Sequence, residues 1–214
     1  MGVSEAVVVA TDSAEVLDAV TAAGGRAVLT AATHPSGTDR IAEVAARSEF
    51  RGHEVILNVQ GDEPFVSAAA VRGALSMVTS ARFPLGTAAA HAGASILGMP
   101  NVVKVVTADD GRALYFSRAA IPFLREEGDT SMRDGVVRQH LGIYAYTRDA
   151  LAAWVALPEH PLERIERLEQ LRPLAAGLAM GVATIDEPPP GGVDTEDDLF
   201  RANARWNDLY AGRS

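Results

Sequence analysis

The sequence contains no cysteine and only one lysine, Lys104; every other basic residue is an arginine. Without a thiol there is no disulfide, no thiolate metal site and no cysteine nucleophile, and chemistry that needs a lysine has one candidate. Aromatic residues make up 6% of the chain. No apolar run approaches the roughly 18 residues of a membrane span, because Arg, Asp or Gly interrupts each one. Basic runs are missing too: 19 Lys+Arg against 28 Asp+Glu leave a net charge of −9, which argues against a nucleic-acid polymer as partner. Residues 1–5 have neither the charged nor the apolar part of a signal peptide. With 48% apolar residues over 214 positions, the expectation is a cytoplasmic protein, not membrane-bound, folded as a single domain spanning 1–214.

What is present reads as alternating strand and helix. The run AVVVA at 6–10 is short and β-branched, like a buried parallel strand, and Asp12 with Glu15 resembles a capping box opening a helix with Val16, Leu17 and Val20 on one face. Strands near 26–29 and 54–60 and helices near 39–47 and 67–79 continue this rhythm, which implies a parallel sheet covered on both faces. Runs at 102–107 and 113–117 flank Asp109-Asp110-Gly111, a hairpin signal. Next come a loop around 125–133, a strand at 141–146, a helix at 148–156, and another at 162–174 with Leu162, Ile165, Leu168 and Leu171 on one stripe. A strand at 181–185 precedes a proline-glycine loop. Thr195 and Asp198 then cap a last helix whose Leu199, Ala202, Trp206 and Leu209 should face inward.

Chemistry-bearing residues cluster in a few segments. NVQGDEP (58–64) places Asp62 and Glu63 at the carboxyl end of a strand, where open α/β sheets bind ligands. Asp62 suits Mg²⁺, which takes hard oxygens from one or two carboxylates and substrate phosphates; the turn could equally be a solvated one. Asp194, in a glycine-rich loop before a helix, could cap that helix or join Asp62 as a clamp. The loop HPSGTDR (34–40) could hold an anion on its free N–H groups, or Ser36 and Thr38 could simply cap the helix. His140 and Tyr144 share one face of an extended segment, though a lone histidine is more often structural. Glu163, Glu166 and Glu169, with Gln170, read as a solvated helix face. There is no nucleophile elbow and no P-loop.

Taken in order, ATD (10–12), HPSGTDRIAEV (34–44), NVQGDEP (58–64), NVVKVV (101–106), ALYFSRAAIP (113–122), HLGIYAY (140–146), PLE (161–163), LEQLR (168–172) and GVDTEDDL (192–199) resemble the 3-deoxy-manno-octulosonate (KDO) cytidylyltransferases, or CMP-KDO synthetases. The resemblance implies a Rossmann-like, three-layer nucleotide-diphospho-sugar transferase fold, with a mostly parallel sheet and a smaller antiparallel dimerisation lobe. It implies transfer of CMP from CTP to KDO, with release of pyrophosphate, for lipopolysaccharide or related glycan synthesis. Asp62 and Asp194 would hold Mg²⁺. Gln60, Arg118, His140, Tyr144, Glu169 and Gln170 would line the sugar-acid pocket, with Arg118 facing the substrate carboxylate. Ser36, Gly37, Thr38 and Arg40 would lie on the nucleotide side. The partners would be CTP, a small acidic sugar and a second copy of the chain. Another acidic sugar or a phosphonate is the alternative acceptor, and a non-catalytic binding or assembly subunit the alternative role. The family's opening strand and its loop resembling PARxxSxRLPGKPL have no counterpart here, and Lys104, inside a β-run, cannot replace that loop's lysine. Residues 1–214 as they stand are therefore expected to show little turnover, with neighbouring strand edges uncovered.

Overall fold

Five helices start at a Ser or Thr whose hydroxyl accepts a backbone N–H three residues on, at Ser13, Ser36, Ser67, Thr147 and Thr195. In a computed structural model describing residue 2 and residues 4–211, the elements run β1 (Val9–Thr11), α1 (Ala14–Ala22), β2 (Ala27–Leu29), α2 (Gly37–Ala46), β3 (Val55–Asn58), α3 (Ala68–Thr79) and β4 (Leu85–His91). They continue as β5 (Lys104–Thr107), β6 (Ala113–Ser117), α4 (Thr130–Val136), β7 (Arg138–Thr147), α5 (Arg148–Ala156), α6 (Pro161–Glu166), α7 (Leu171–Ala175), β8 (Met180–Ile185) and α8 (Glu196–Tyr210). The first helix is capped by Ser13 and not by Asp12. Among the described residues no helix is long and apolar enough to cross a membrane.

The Rossmann-like α/β class holds, but the sheet is mixed and not mostly parallel. Parallel ladders join β1 to β2 and β4 to β8, whereas β3, β4 and β5 all pair antiparallel with β7, and β5 with β6. The long strand β7 is the reason. Its second half, from Tyr144, lies between β3 and β4; beyond a bulge around Gly142 its first half keeps β4 on one side and meets β5 in place of β3 on the other, joining the α/β half to the antiparallel hairpin. Among the described residues β1 pairs only with β2, and β3 only with β7. Helix α1 buries no side chain, so its expected Val16–Leu17–Val20 face is only weakly packed.

The most buried strand, β4, has no counterpart in the sequence reading. Its residues LGTAAAH are small because α3 packs directly on it: a Cβ on Gly86 would lie 2.3 Å from the Ala74 carbonyl oxygen, so only glycine fits. Small side chains carry little β-propensity, which hides the strand. Three other expectations change. The 125–133 stretch is not all loop, since α4 begins at Thr130. The helix at 162–174 is two short helices separated by Arg167, a non-glycine residue in the left-handed region (φ 54°). Helix α8 has its expected capping box, but Leu199, Trp206 and Leu209 are exposed, because the helix lies along the surface, with Arg205 over the Phe65 ring.

One face of α2 fastens the loop that leads into it. Glu43 accepts the Ala31 N–H (2.9 Å), His34 Nε2 (2.6 Å) and Arg47 Nη2 (2.9 Å). These contacts, the Ala31 N–H foremost, lower its carboxyl to about 2. A depressed carboxylate stabilises the fold above its unfolded pKa near 4.5, and that stabilisation is lost as the pH falls toward 2. Glu43→Gln should therefore lower the thermal midpoint at neutral pH, and the two proteins should converge as the pH falls through that window. A pH-independent difference between their melting curves would contradict this account.

Candidate active site

The turn after β3 and the loop before α8 meet. The Val193 N–H donates to the Asp62 carbonyl oxygen (2.8 Å), and a Cβ on Gly192 would come within 3.2 Å of both that oxygen and Glu63 Oε1. Glycine thus lets the second loop lie against the first, which brings Asp62 and Asp194 to one corner. Both aspartates are exposed. The cap of α8 is made by Thr195 and Asp198, leaving the Asp194 carboxylate outside it, so the choice between cap and clamp goes against the cap. Glu63 completes the corner: burial, then the charges of Asp62 and Asp194, push its carboxyl upward. The sequence places it beside Asp62 at the ligand-binding end of the strand, but only Asp62 is assigned a role there.

Among the described residues no group of three or more His, Cys, Asp or Glu side chains is arranged to hold a metal by itself. Two exposed aspartates on adjoining loops fit a hard cation that takes its remaining ligands from phosphate and water, as Mg²⁺ commonly does.

Beside this corner lies a buried polar cluster at the start of α2. Ser36 caps the helix, accepting the Asp39 N–H and donating to Asp39 Oδ2 (2.6 Å). A Cβ on Gly37 would sit 3.7 Å from the Gln60 amide, whose backbone carbonyl in turn accepts the Glu63 N–H (3.4 Å). Gln60 therefore spans from helix start to acid corner. Thr38 is fully buried; its hydroxyl donates to Glu169 Oε1 (3.0 Å) and lies 3.2 Å from the Tyr146 hydroxyl. Burial raises the Glu169 carboxyl against the pull of the Ser36 hydroxyl and of the Thr38 hydroxyl and N–H. Gln170, next in the chain, is buried.

The solvated face expected for the three glutamates is not observed, since each is held by a tertiary partner. Glu163 forms a two-pronged pair with Arg172 (2.8 and 2.6 Å), and Glu166 accepts the Ser117 hydroxyl (2.6 Å) and the Arg118 N–H (2.9 Å). Such pairs break the 162–174 helix and turn Glu169 toward α2.

The remaining candidates sit around this centre. Arg118 donates from Nε to Glu166 O (2.8 Å), from Nη1 to Pro100 O (3.0 Å) and from Nη2 to Arg167 O (3.4 Å), which leaves one N–H on each terminal nitrogen. Arg40 holds Thr30 Oγ1 (2.6 Å) and Asp12 Oδ2 (3.0 Å), bracing α2 against the ends of β1 and β2. His140 and Tyr144 share an aromatic wall, their ring centroids 5.5 Å apart. Thr87 Oγ1 donates its proton to Ile143 O (2.7 Å), so its contact with His140 Nε2 (2.9 Å) requires the hydrogen on that nitrogen. Burial drives the His140 pKa to about 3, so the ring is neutral at physiological pH and offers no charge to an anion.

An α/β fold of this class, with an acidic corner beside a helix start and a buried carboxylate, is that of a nucleotidyltransferase. A family model described as Cytidylyltransferase matches residues 1–181. The chain is 58% identical to the 3-deoxy-manno-octulosonate cytidylyltransferase of Gemmatimonas aurantiaca over all of its own length and 83% of that protein, and 47% identical to the one from Rhodospirillum centenum (92% and 76%). It belongs to the 3-deoxy-manno-octulosonate cytidylyltransferase family. The structure of CMP:2-keto-3-deoxy-manno-octonic acid synthetase complexed with CTP superposes with a TM-score of 0.88 at 36% identity, covering 98% of this chain and 83% of that one. The inositol-1-phosphate CTP transferase of T. maritima, at 14% identity and a TM-score of 0.56, over 92% of this chain and 71% of that one, shares the fold alone.

Proposed function

We propose that the chain transfers CMP from CTP to 3-deoxy-D-manno-octulosonate, releasing pyrophosphate. The observation that carries this reading is the place of Gln60: its carbonyl oxygen accepts the Glu63 N–H of the Asp62–Asp194 corner (3.4 Å), and its amide lies against Gly37 at the start of α2, where Thr38 holds Glu169. In the reaction the anomeric hydroxyl oxygen attacks the α-phosphorus in line. The new P–O bond forms as the α–β phosphoanhydride bond breaks, and the hydroxyl proton is lost. Asp62 and Asp194 would hold Mg²⁺, which would neutralise charge on the attacked phosphate and the leaving pyrophosphate. Glu169 and Gln170 orient the sugar's hydroxyls, Gln60 lies between the two subsites, and the two N–H groups left on Arg118 face the acceptor carboxylate. A homodimer through the antiparallel lobe is supported by the exposure of Phe123 and Met132 there (83% and 71%).

The test is pyrophosphate release from CTP, together with calorimetric binding of CMP-KDO, with KDO compared against a sialic acid and a phosphonate acceptor. KDO-dependent release, or tight CMP-KDO binding by the chain as it stands, supports the reading. Preference for another acceptor, or no binding of CMP-KDO at all, overturns it.

A further inference from the structure

The resemblance of HPSGTDR sets Thr38 among residues of the nucleotide side, yet its side chain is fully buried and bonded to Glu169. Its one hydroxyl proton goes to Glu169 Oε1, and its oxygen lies within hydrogen-bonding distance of the Tyr146 hydroxyl (3.2 Å). Thr38 thus fastens the carboxylate of Glu169 to the first turn of α2, and Tyr146 braces Thr38 from the central strand β7. The second oxygen of Glu169, Oε2, is buried and makes no hydrogen bond of ordinary geometry: the Ser36 hydroxyl and the Thr38 N–H bear on this carboxyl, but the Ser36 proton goes to Asp39 Oδ2. A buried carboxylate oxygen without a donor is rare in a finished fold, and a ligand hydroxyl would satisfy it. A second such group lies in the same cluster: Asn58, at the end of β3 and 4% exposed, has an Nδ2 with two hydrogens, and with one of them directed at the Tyr146 hydroxyl the other has no acceptor. One orphan accepts and the other donates, the pairing that polyhydroxylated ligands answer and a phosphate, which only accepts, does not.

We infer that Thr38 is a positioning residue of the sugar-acid pocket and not of the nucleotide site: with Tyr146 it holds Glu169 Oε1, so that Oε2 is presented to a hydroxyl of the acceptor. This rests on the proposed acceptor chemistry, but it makes a separate statement about which substrate feels Thr38. Asn58 belongs to the same pocket as its unpaired donor.

The experiment compares wild type with Thr38→Val, Thr38→Ser and Tyr146→Phe, titrating CTP and KDO separately in binding and, where turnover is measurable, in kinetics. Thermal midpoints are recorded alongside. Thr38→Val should weaken KDO by about 10- to 100-fold, the range for losing a hydrogen bond to a charged group, with CTP affinity unchanged. Thr38→Ser should restore KDO binding, since it keeps the donor, and Tyr146→Phe should give a smaller loss of the same kind. A merely structural role would lower the midpoint and affect both substrates alike. Loss of CTP affinity equal to or greater than that of KDO, or unchanged KDO affinity in a folded Thr38→Val protein, overturns the assignment. Should wild type prefer another acidic sugar, the reading of the acceptor as KDO falls, and the same split measured with that sugar decides the role of Thr38.

Discussion

Where turnover is measurable, Asp62→Asn is expected to lower it by on the order of 10²- to 10³-fold or more while leaving the thermal midpoint nearly unchanged. The change keeps the shape of the side chain and removes its charge. Asp62 is exposed at a turn whose backbone carbonyl, and not its carboxylate, holds the Val193 N–H, so the fold does not depend on that charge. Chemistry at a triphosphate does, because the protein carries a net charge of −9 and a bound cation must offset the repulsion. Asp194→Asn should behave alike, and the double variant should lose little more than either single one, because ligands of one ion act as a unit. Binding of Mn²⁺ as a paramagnetic probe, read by water-proton relaxation with and without CTP, checks the site independently of turnover. Near-normal activity and Mn²⁺ binding in either variant would remove that aspartate from the metal site.

Lys104→Met is expected to cost on the order of 3 kcal/mol of stability or more, at roughly 1–3 kcal/mol for each buried acceptor left unmatched, a large share of the roughly 5–15 kcal/mol available to a domain. The ammonium group is fully buried, and Nζ donates to three carbonyl oxygens, of Met99 (3.0 Å), Val102 (2.7 Å) and Arg118 (2.5 Å). Burial, then the charge of Arg118, lowers its pKa while Glu166 opposes the shift. Methionine fills the volume but leaves three buried acceptors unmatched, each of which carries a desolvation penalty. Lys104→Arg should not rescue, because a planar fork cannot aim three donors at carbonyls converging on one point. The effect should reach the pocket as well, since Lys104 holds the Arg118 backbone, Arg118 holds Glu166 and Arg167, and Glu169 follows two residues on. Urea unfolding provides the measurement; a loss below about 1 kcal/mol would show that the three bonds contribute no more than one ordinary hydrogen bond.

How much could be read beforehand differs from element to element. The hairpin at 109–111 and the cap at Thr195 were legible because each depends on residues within one turn of chain: an Asp-Asp-Gly signal, and a Thr with an acid three residues on; the helix at 148–156 was legible as well. The strand β4 was not, since alanine and glycine become strand residues there only through β7 and β8 on either side and α3 above. At 162–174 an apolar three-residue spacing suggested one continuous helix. Local propensity lost to three glutamates whose partners come from α2, β6 and α7, and the left-handed Arg167 is where the chain yields.

The candidate site divides along the same line. Sequence alone determined the family words, the lone lysine, the absence of thiol chemistry and the two aspartates with their short approach loops, because residue type and local order suffice for those. Tertiary structure alone decided that Val193 joins the Asp194 loop to the Asp62 turn, that Lys104 is saturated by carbonyl groups, that His140 is held neutral, and that Thr38 faces Glu169. Each of those is a hydrogen bond or a burial between segments far apart in the chain. The energy of a buried polar group depends on whether a partner reaches it, and no local pattern records which partner does.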